Sequence, residues 1–198
     1  MVLRLPITEA ARRAAWKAGF CRWRSVGVTL LSLLAACSLN AAQPKEYEVK
    51  AAFLLNFARF VEWQPKAYAD TNAALVIGIV GDDPFGEVLP QIVQGQTVQG
   101  RRIEIRHFTA DEDFGACHVL FLSRSVAAQT EEILRRLQNR SVLTVSEKED
   151  FVRRGGVIGF AMVDNCVRFD INPKAAEAAE LKLSSKLLAV ARSVVKSS

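Results

Sequence analysis

The 198 residues are 50% apolar and 24% charged, a globular composition with length for one domain. A formal charge of +5 and a pI near 9.2 invite a nucleic-acid reading, but six of the 26 Lys/Arg, opposed only by Glu9, fall in the first 24 residues. From Gln43 onward 20 basic and 20 acidic residues cancel, so attraction to phosphate backbones has no basis and no nucleic-acid partner is expected.

The basic segment ending at Arg24 runs into "VGVTLLSLLAA" (Val26 to Ala36), which is too short for a stable membrane span. Together they read as an export signal over residues 1–42. Leu34-Ala35-Ala36-Cys37 looks like a lipobox, whose Cys37 would be lipidated and become the first residue of the mature chain. The other route is ordinary signal-peptidase cleavage near Ala41 or Ala42, with Leu39 or Asn40 standing where a small residue is preferred. The basic region is long enough that the start codon could lie downstream of Met1. On either route the mature domain, 43–198, leaves the cytoplasm and touches a membrane only through an acylated Cys37. Cys117 and Cys166 remain in it, enough for one disulfide in an oxidising compartment and too few for a metal site.

Gln43-Pro44-Lys45 is a polar lead-in, and Glu46 to Gln64 reads as a helix stopped by Pro65. "ALVIGIVG" (Ala74 to Gly81) is an unbroken apolar run, the mark of a strand buried on both faces. "DDPFGEVLPQIV" predicts a short helix with Asp82 or Asp83 as N-cap and Pro84 at its first position. "RRIEIRHF" (Arg101 to Phe108) alternates, as a half-exposed or edge strand does. "CHVLFLS" (Cys117 to Ser123) is a second apolar strand. Ser125 to Gln138 follows as an amphipathic helix with acids early and bases late. "SVLTVS" (Ser141 to Ser146) is a third buried strand. "GVIGFAMV" and "CVRFDIN" flank Asp164-Asn165, a link with hairpin-turn chemistry. From Pro173 a helical tail runs on, interrupted at Leu181-Lys182-Leu183 and recapped by Ser184 or Ser185. The alternation predicts a single α/β domain: a mainly parallel central sheet flanked by helices, with a late antiparallel hairpin and a C-terminal helix.

In such sheets ligands gather at the carboxyl ends of the strands. Asp82 and Asp83 could hold a cation or a hydroxyl there, although the same spacing suits a tight turn. Ser123 and Arg124 open a helix and could receive an anion, or serve only as cap and solvated charge. These four residues form the candidate ligand pocket. His118 lies inside a strand and reads as a hydrogen-bonded structural histidine. Cys117 and His118 point to opposite faces and cannot form a nucleophilic dyad. No H-E-x-x-H, G-x-S-x-G, P-loop or G-x-G-x-x-G occurs, so neither catalysis nor a cofactor is expected.

"AAFLLNFARFVEW" (Ala51 to Trp63) carries too many interleaved polar residues to span a membrane. On a helical wheel Glu48, Asn56, Arg59 and Glu62 gather on an arc of about 120°. Val49, Phe53, Leu54, Phe57, Phe60 and Val61 fill about half the circumference, more than one sheet contact needs. The Phe face is expected to pack against the sheet and the C-terminal helix. Leu55 and Trp63 fall within the polar arc and are the candidates for a surface contact.

Several segments together resemble the YfiR family of periplasmic regulators. They are "EYEVKAAFLLNFARFVEWQP" (Glu46 to Pro65), "VIGIVGDDPFG" (Val76 to Gly86), "CHVLFLSRS" (Cys117 to Ser125), "GGVIGFAMVDNCVRFDIN" (Gly155 to Asn172) and "AAELKLSSKLLAVAR" (Ala178 to Arg192). The resemblance implies a small exported α/β protein without catalytic activity. It would restrain a membrane-bound diguanylate cyclase by binding that protein's periplasmic sensor part, lowering cyclic-di-GMP and biofilm formation. It also implies homodimers and tuning by redox state and small ligands. The partner-facing surface should involve Glu177 and Lys182 as charged rim residues and Leu183 as an apolar anchor, beside Leu55 and Trp63.

The chain departs from the family in its cysteines. Members often carry one near Gly78, paired with the counterpart of Cys117, and one near Gly159, before the counterpart of Cys166. One cysteine of each presumed pair is kept here. A Cys117–Cys166 disulfide would need neighbouring strands, and two free, buried thiols are favoured over it. The other functional reading is a periplasmic small-molecule module, using the pocket named above and acting on a sensor histidine kinase.

Overall fold

Uninterrupted apolar runs place their strands at the centre of a sheet, and the remaining elements are arranged around them. The computed structural model describes residues 42–68, 70 and 72–195. The export leader up to Ala41, with Cys21 and the Cys37 lipobox, lies outside the described residues. Helix α1 (Ala42–Phe60) leads into β1 (Val61–Glu62); β2 (Leu75–Val80), α2 (Val88–Val93) and β3 (Thr97–Val98) follow. Next come β4 (Arg101–Phe108), β5 (Val119–Leu122), α3 (Thr130–Arg136) and β6 (Leu143–Ser146). The hairpin of β7 (Ile158–Val163) and β8 (Cys166–Ile171) precedes α4 (Pro173–Ala178), β9 (Lys182–Leu183), α5 (Ser185–Val190) and β10 (Ser193–Val194).

Eight strands form one sheet in the order β10-β8-β7-β6-β5-β2-β4-β3. Neighbours run parallel except at β8–β7 and β4–β3, so the fold is the mainly parallel α/β architecture that the alternation of elements predicts. Strands β1 and β9 pair antiparallel apart from it. Side chains alternate across the sheet. Leu75, Ile77 and Ile79 of β2, with Val119 and Phe121 of β5, share one core with α1, α2, α4 and α5. Val76, Val80, Leu120 and Leu122 face the opposite way, towards Ile133 of α3, Phe114 and Phe151. In the first core the Phe57 ring lies 4.9 Å from Phe169 and 5.7 Å from Phe160 between centroids. The expected packing of the Phe face on the sheet therefore holds for Phe57.

Local chemistry accounts for the late elements. Asp164 (φ 48°) and Asn165 (φ 59°) both adopt the left-handed conformation that a two-residue hairpin link requires, and Val163 faces Cys166 across it. Asn172 caps α4 by accepting from the Ala175 N–H at 3.1 Å, ahead of Pro173. Ser184 caps α5 by accepting from the Leu187 N–H at 3.2 Å.

Two expected helices are shorter than their sequence pattern, and the first, α1, keeps its expected 19 residues but begins at Ala42, so that Gln43-Pro44-Lys45 is helix and not a lead-in. Helix α1 stops at Phe60, because Val61 and Glu62 pair with Leu183 and Lys182 as a two-stranded ladder. Helix α2 starts at Val88 rather than at Asp82 or Asp83; Asp83 instead closes a turn, its Oδ1 accepting from the Phe85 and Gly86 N–H groups. The segment after β5 makes a 3-10 turn (Arg124–Val126) before α3 begins at Thr130.

The expectation that Leu55 and Trp63 face solvent is corrected: each is only 6% exposed. Glu62 lies on β1 and not on the helix, so the polar arc drawn through it reached too far and took in Leu55. Trp63 is past the helix altogether. Its indole N–H donates to the Ala58 carbonyl at 2.8 Å, and its ring meets His118 edge-on at 5.6 Å. The exposed apolar side chains of α1 are Val49 (39%) and Phe60 (36%), both assigned to the core by the wheel.

Candidate ligand pocket and partner surface

Helix α1 presents Lys50 between Leu54 and Phe57 on its buried side, where an unpaired ammonium would be costly. Lys50 is 1% exposed and is held by two carboxylates, Glu46 one turn back and Glu147 just beyond the carboxyl end of β6. Glu147 also accepts from Tyr47 Oη at 3.0 Å and from Arg124 Nε at 3.1 Å. Its side chain is 4% exposed. Burial first, then the charge of Glu147, push the Tyr47 hydroxyl up to about 12, so it stays a donor. The four charges sum to zero, and every carboxylate oxygen of Glu147 has a partner.

Lys50, Glu147 and Arg124 of this network line a cavity of about 680 Å³, whose other walls include Phe160, Asp170 and Arg192. The cavity opens at the carboxyl ends of β5 and β6, where parallel sheets bind ligands. It offers guanidinium and carboxylate groups beside an aromatic wall, a lining suited to a polar organic molecule. Sequence reasoning missed Lys50, Tyr47 and Glu147. The available signal was a lysine on the apolar side of the wheel, which implies a buried acid to receive it.

Of the sequence-predicted pocket, only Arg124 lines this cavity. The Asp82 N–H donates to Ser125 Oγ at 2.8 Å, and Ser125 Oγ lies 2.7 Å from Ser123 Oγ, so the serines tie down the turn after β2. Gly81 sits in that turn at φ 84°, where an added Cβ would meet Ser125 Oγ at 2.4 Å. Asp83 Oδ2 lies 2.9 Å from His107 Nε2 at the surface. The structure thus brings Asp82, Ser123 and Arg124 to one edge of the sheet, with the first two occupied in a turn.

At the C-terminal end, Glu177 on α4 and Lys182 on β9 are exposed and line one groove of about 370 Å³ with Lys66 and Glu180, which pair with each other. Leu183 is half-buried and packs against the first core. Leu55 and Trp63 are in that core too, so they are not part of this surface.

Cys117 and Cys166 are free thiols, one buried and one exposed. The Cys117–Cys166 bridge, the less favoured of the two readings, is not formed, because β6 and β7 separate their strands by about 14 Å at the usual strand spacing. The favoured reading of two free, buried thiols is corrected for Cys166, which is exposed and begins β8 at the hairpin. Burial pushes the Cys117 thiol up to about 12, and its S–H donates to the Val119 carbonyl at 3.0 Å. An added Cβ on Gly78 would lie 2.7 Å from Cys117 Sγ, which is where a bridging cysteine would have to stand. Gly159 pairs with Asp170, four residues along β8 from Cys166, and is not its cross-strand neighbour. Among the described residues no group of three or more His, Cys, Asp or Glu could hold a metal ion.

Residues 47–192 match a protein family described as YfiR/HmsC-like. Among solved structures, a conserved domain protein from Vibrio cholerae O1 biovar eltor str. N16961 is similar, with 14% identity over 61% of this chain and a TM-score of 0.46. The chain spans 54% of that protein's length. No curated protein matches it.

Proposed function

The chain belongs to the YfiR/HmsC-like family, and from this we propose that it is an exported, non-enzymatic regulator that binds and restrains the periplasmic sensor part of a membrane diguanylate cyclase. Restraint lowers cyclic-di-GMP signalling and biofilm formation. The observation that carries the reading is the family match across nearly all of the mature chain. Among the described residues no helix is long and apolar enough to cross a membrane. The exposed groove of Glu177 and Lys182 is the surface we assign to the partner, with a homodimer as the binding unit.

Co-purification from membranes tests this. Wild-type protein should bring down a cyclase, and Glu177→Lys should free it while melting at the wild-type temperature. A normally folded Glu177→Lys variant that still holds the partner would move the site elsewhere. Recovery of no cyclase by wild type would end the reading. The 680 Å³ cavity beside Lys50 and Glu147 favours a second reading, a small-molecule sensing module acting on a sensor histidine kinase. Recovery of a kinase in the same experiment would select it.

A further inference from the structure

Charged residues are absent from β2, β5 and β6, so a titratable ring set among these strands meets no counter-ion on them. His118, just before β5, is such a ring and is 3% exposed. The sheet holds it on both sides: its N–H donates to the Val76 carbonyl at 3.0 Å, and its carbonyl accepts from the Leu143 N–H at 2.7 Å. Ring Nδ1 accepts from the Val76 N–H at 3.1 Å, so the one proton of the neutral ring sits on Nε2. Nε2 has no hydrogen-bond partner among the described residues. A second proton would therefore set Nδ1 as a donor against another donor and leave a buried cation without an acceptor.

No surrounding charge offsets that cost. Burial outweighs the pull of the Ala67 carbonyl and holds the ring's pKa down to about 4, and the Arg101 guanidinium adds to the opposition. Tyr68 and Cys117 stay neutral, since burial raises both pKa values. Lys66 is paired with Glu180, and Asp70 gives Arg101 only its carbonyl. Glu104 stands beside Val76 on the other face of the sheet, where Arg102 and Arg106 take it up.

The cover over the ring is lightly held. Tyr68 stacks on it at 4.5 Å between centroids, and Trp63 meets it edge-on at 5.6 Å. Between them runs a single 3-10 turn (Pro65–Ala67), closed by Ala67 N–H to the Gln64 carbonyl at 2.9 Å and Tyr68 N–H to the Pro65 carbonyl at 3.2 Å. Its other ties are the Trp63 indole bond to Ala58, the Arg101 guanidinium 3.7 Å from the Tyr68 ring, and the exposed Lys66–Glu180 pair, which holds little. Against a residue bonded into the sheet, this segment is the part that gives. It is also a wall of the partner groove: Gln64 and Lys66 line it with Glu177, Glu180 and Lys182. We propose that His118 is an acid latch on that groove: on taking up a second proton its ring turns out towards water, lifts the Trp63–Tyr68 segment, draws Lys66 from Glu180 and releases the partner. The effect on a partner rests on this groove being the partner's site, whereas the latch does not.

The mature chain, 43–198, contains both cores and has Trp63 as its only tryptophan, so hydrogen exchange of the indole N–H reports opening of this segment. With the ring's pKa at about 4 when covered and 6.5 when released, the opening constant should rise about twentyfold from pH 7 to pH 5. The indole should be less protected than the Ile77 and Ile79 amides at both pH values. His118→Asn, which keeps an oxygen for the Val76 N–H, should abolish the rise. Indole protection equal to that of Ile77 and Ile79 would mean that the segment opens only on global unfolding and would overturn the latch. The same rise in His118→Asn would also overturn it. Co-purification from membranes at the two pH values tests the consequence: wild type should lose the cyclase at pH 5, and His118→Asn should keep it. Equal recovery by wild type at both, with exchange as expected, would overturn the coupling to the groove. Recovery of no cyclase at pH 7 would end the cyclase reading and leave the exchange result to decide the latch.

Discussion

Lys50 and Glu147, 97 residues apart in the chain, form an ion pair closed off from water, and it fastens α1 to the loop after β6. Breaking a buried pair leaves the surviving charge unsatisfied, at a cost of about 3–5 kcal/mol. Glu147→Leu leaves Lys50 with Glu46 alone and orphans Tyr47 Oη, whereas Glu46→Gln leaves the pair intact. Urea denaturation should therefore show a loss of several kcal/mol for the first and roughly 1 kcal/mol or less for the second. Equal losses would mean that Glu147 is not the anchor. Lys66→Ala, which breaks an exposed pair with Glu180, is the control and should cost under about 1 kcal/mol.

Gly78 leaves room for no side chain. Its added Cβ would meet Cys117 Sγ at 2.7 Å, Leu120 Cδ1 at 2.8 Å and Phe108 Cε2 at 2.9 Å. Gly78→Ala should destabilise by about 1–3 kcal/mol through overpacking. Gly78→Cys meets the same crowding, but a bond to Cys117 would convert the closest contact into a covalent one. Under oxidising conditions the intact mass of the 43–198 domain carrying it should drop by two hydrogens, with one thiol, Cys166, still reacting with iodoacetamide. Three reactive thiols in the oxidised, unfolded variant would refute the geometry.

Stability should fall on both flanks of pH. The buried Cys117 thiol has its folded pKa raised from 9.0 to about 12. Above pH 9 the unfolded chain ionises this group while the folded one resists, so stability declines as pH rises from 9 towards 12, by up to roughly 4 kcal/mol. Cys117→Ala should flatten that decline in guanidinium melts.

On the acid side, burial lowers the His118 pKa from 6.5 to about 4. Here the unfolded chain takes up the proton first, so the stability contributed by the neutral ring is lost as pH falls from 6.5 through 4. His118→Asn, whose side-chain oxygen can still accept from the Val76 N–H, should remove this part of the acid slope. An unchanged slope would assign acid unfolding to the carboxylates.

Much of this protein was legible in its residues. The apolar runs of β2, β5 and β6 could only be buried strands, Asp164-Asn165 could only be a tight link, and Asn172-Pro173 and Ser184 announce helix starts. Each of these follows from one stretch of chain meeting water, sterics or its own backbone. The family signature likewise resides in local segments.

Tertiary structure decided what depends on two distant stretches meeting. Pairing of Val61–Glu62 with Lys182–Leu183 ended α1 at Phe60 and put Glu62 and Trp63 off the helix, a change no wheel could register. Strand order kept Cys117 from Cys166 by placing β6 and β7 between them. Lys50 became the floor of a pocket only because Glu147 arrived from another element to neutralise it. Periodicity reports how a residue faces water along its own element, and it carries no record of which partner comes from elsewhere to complete it.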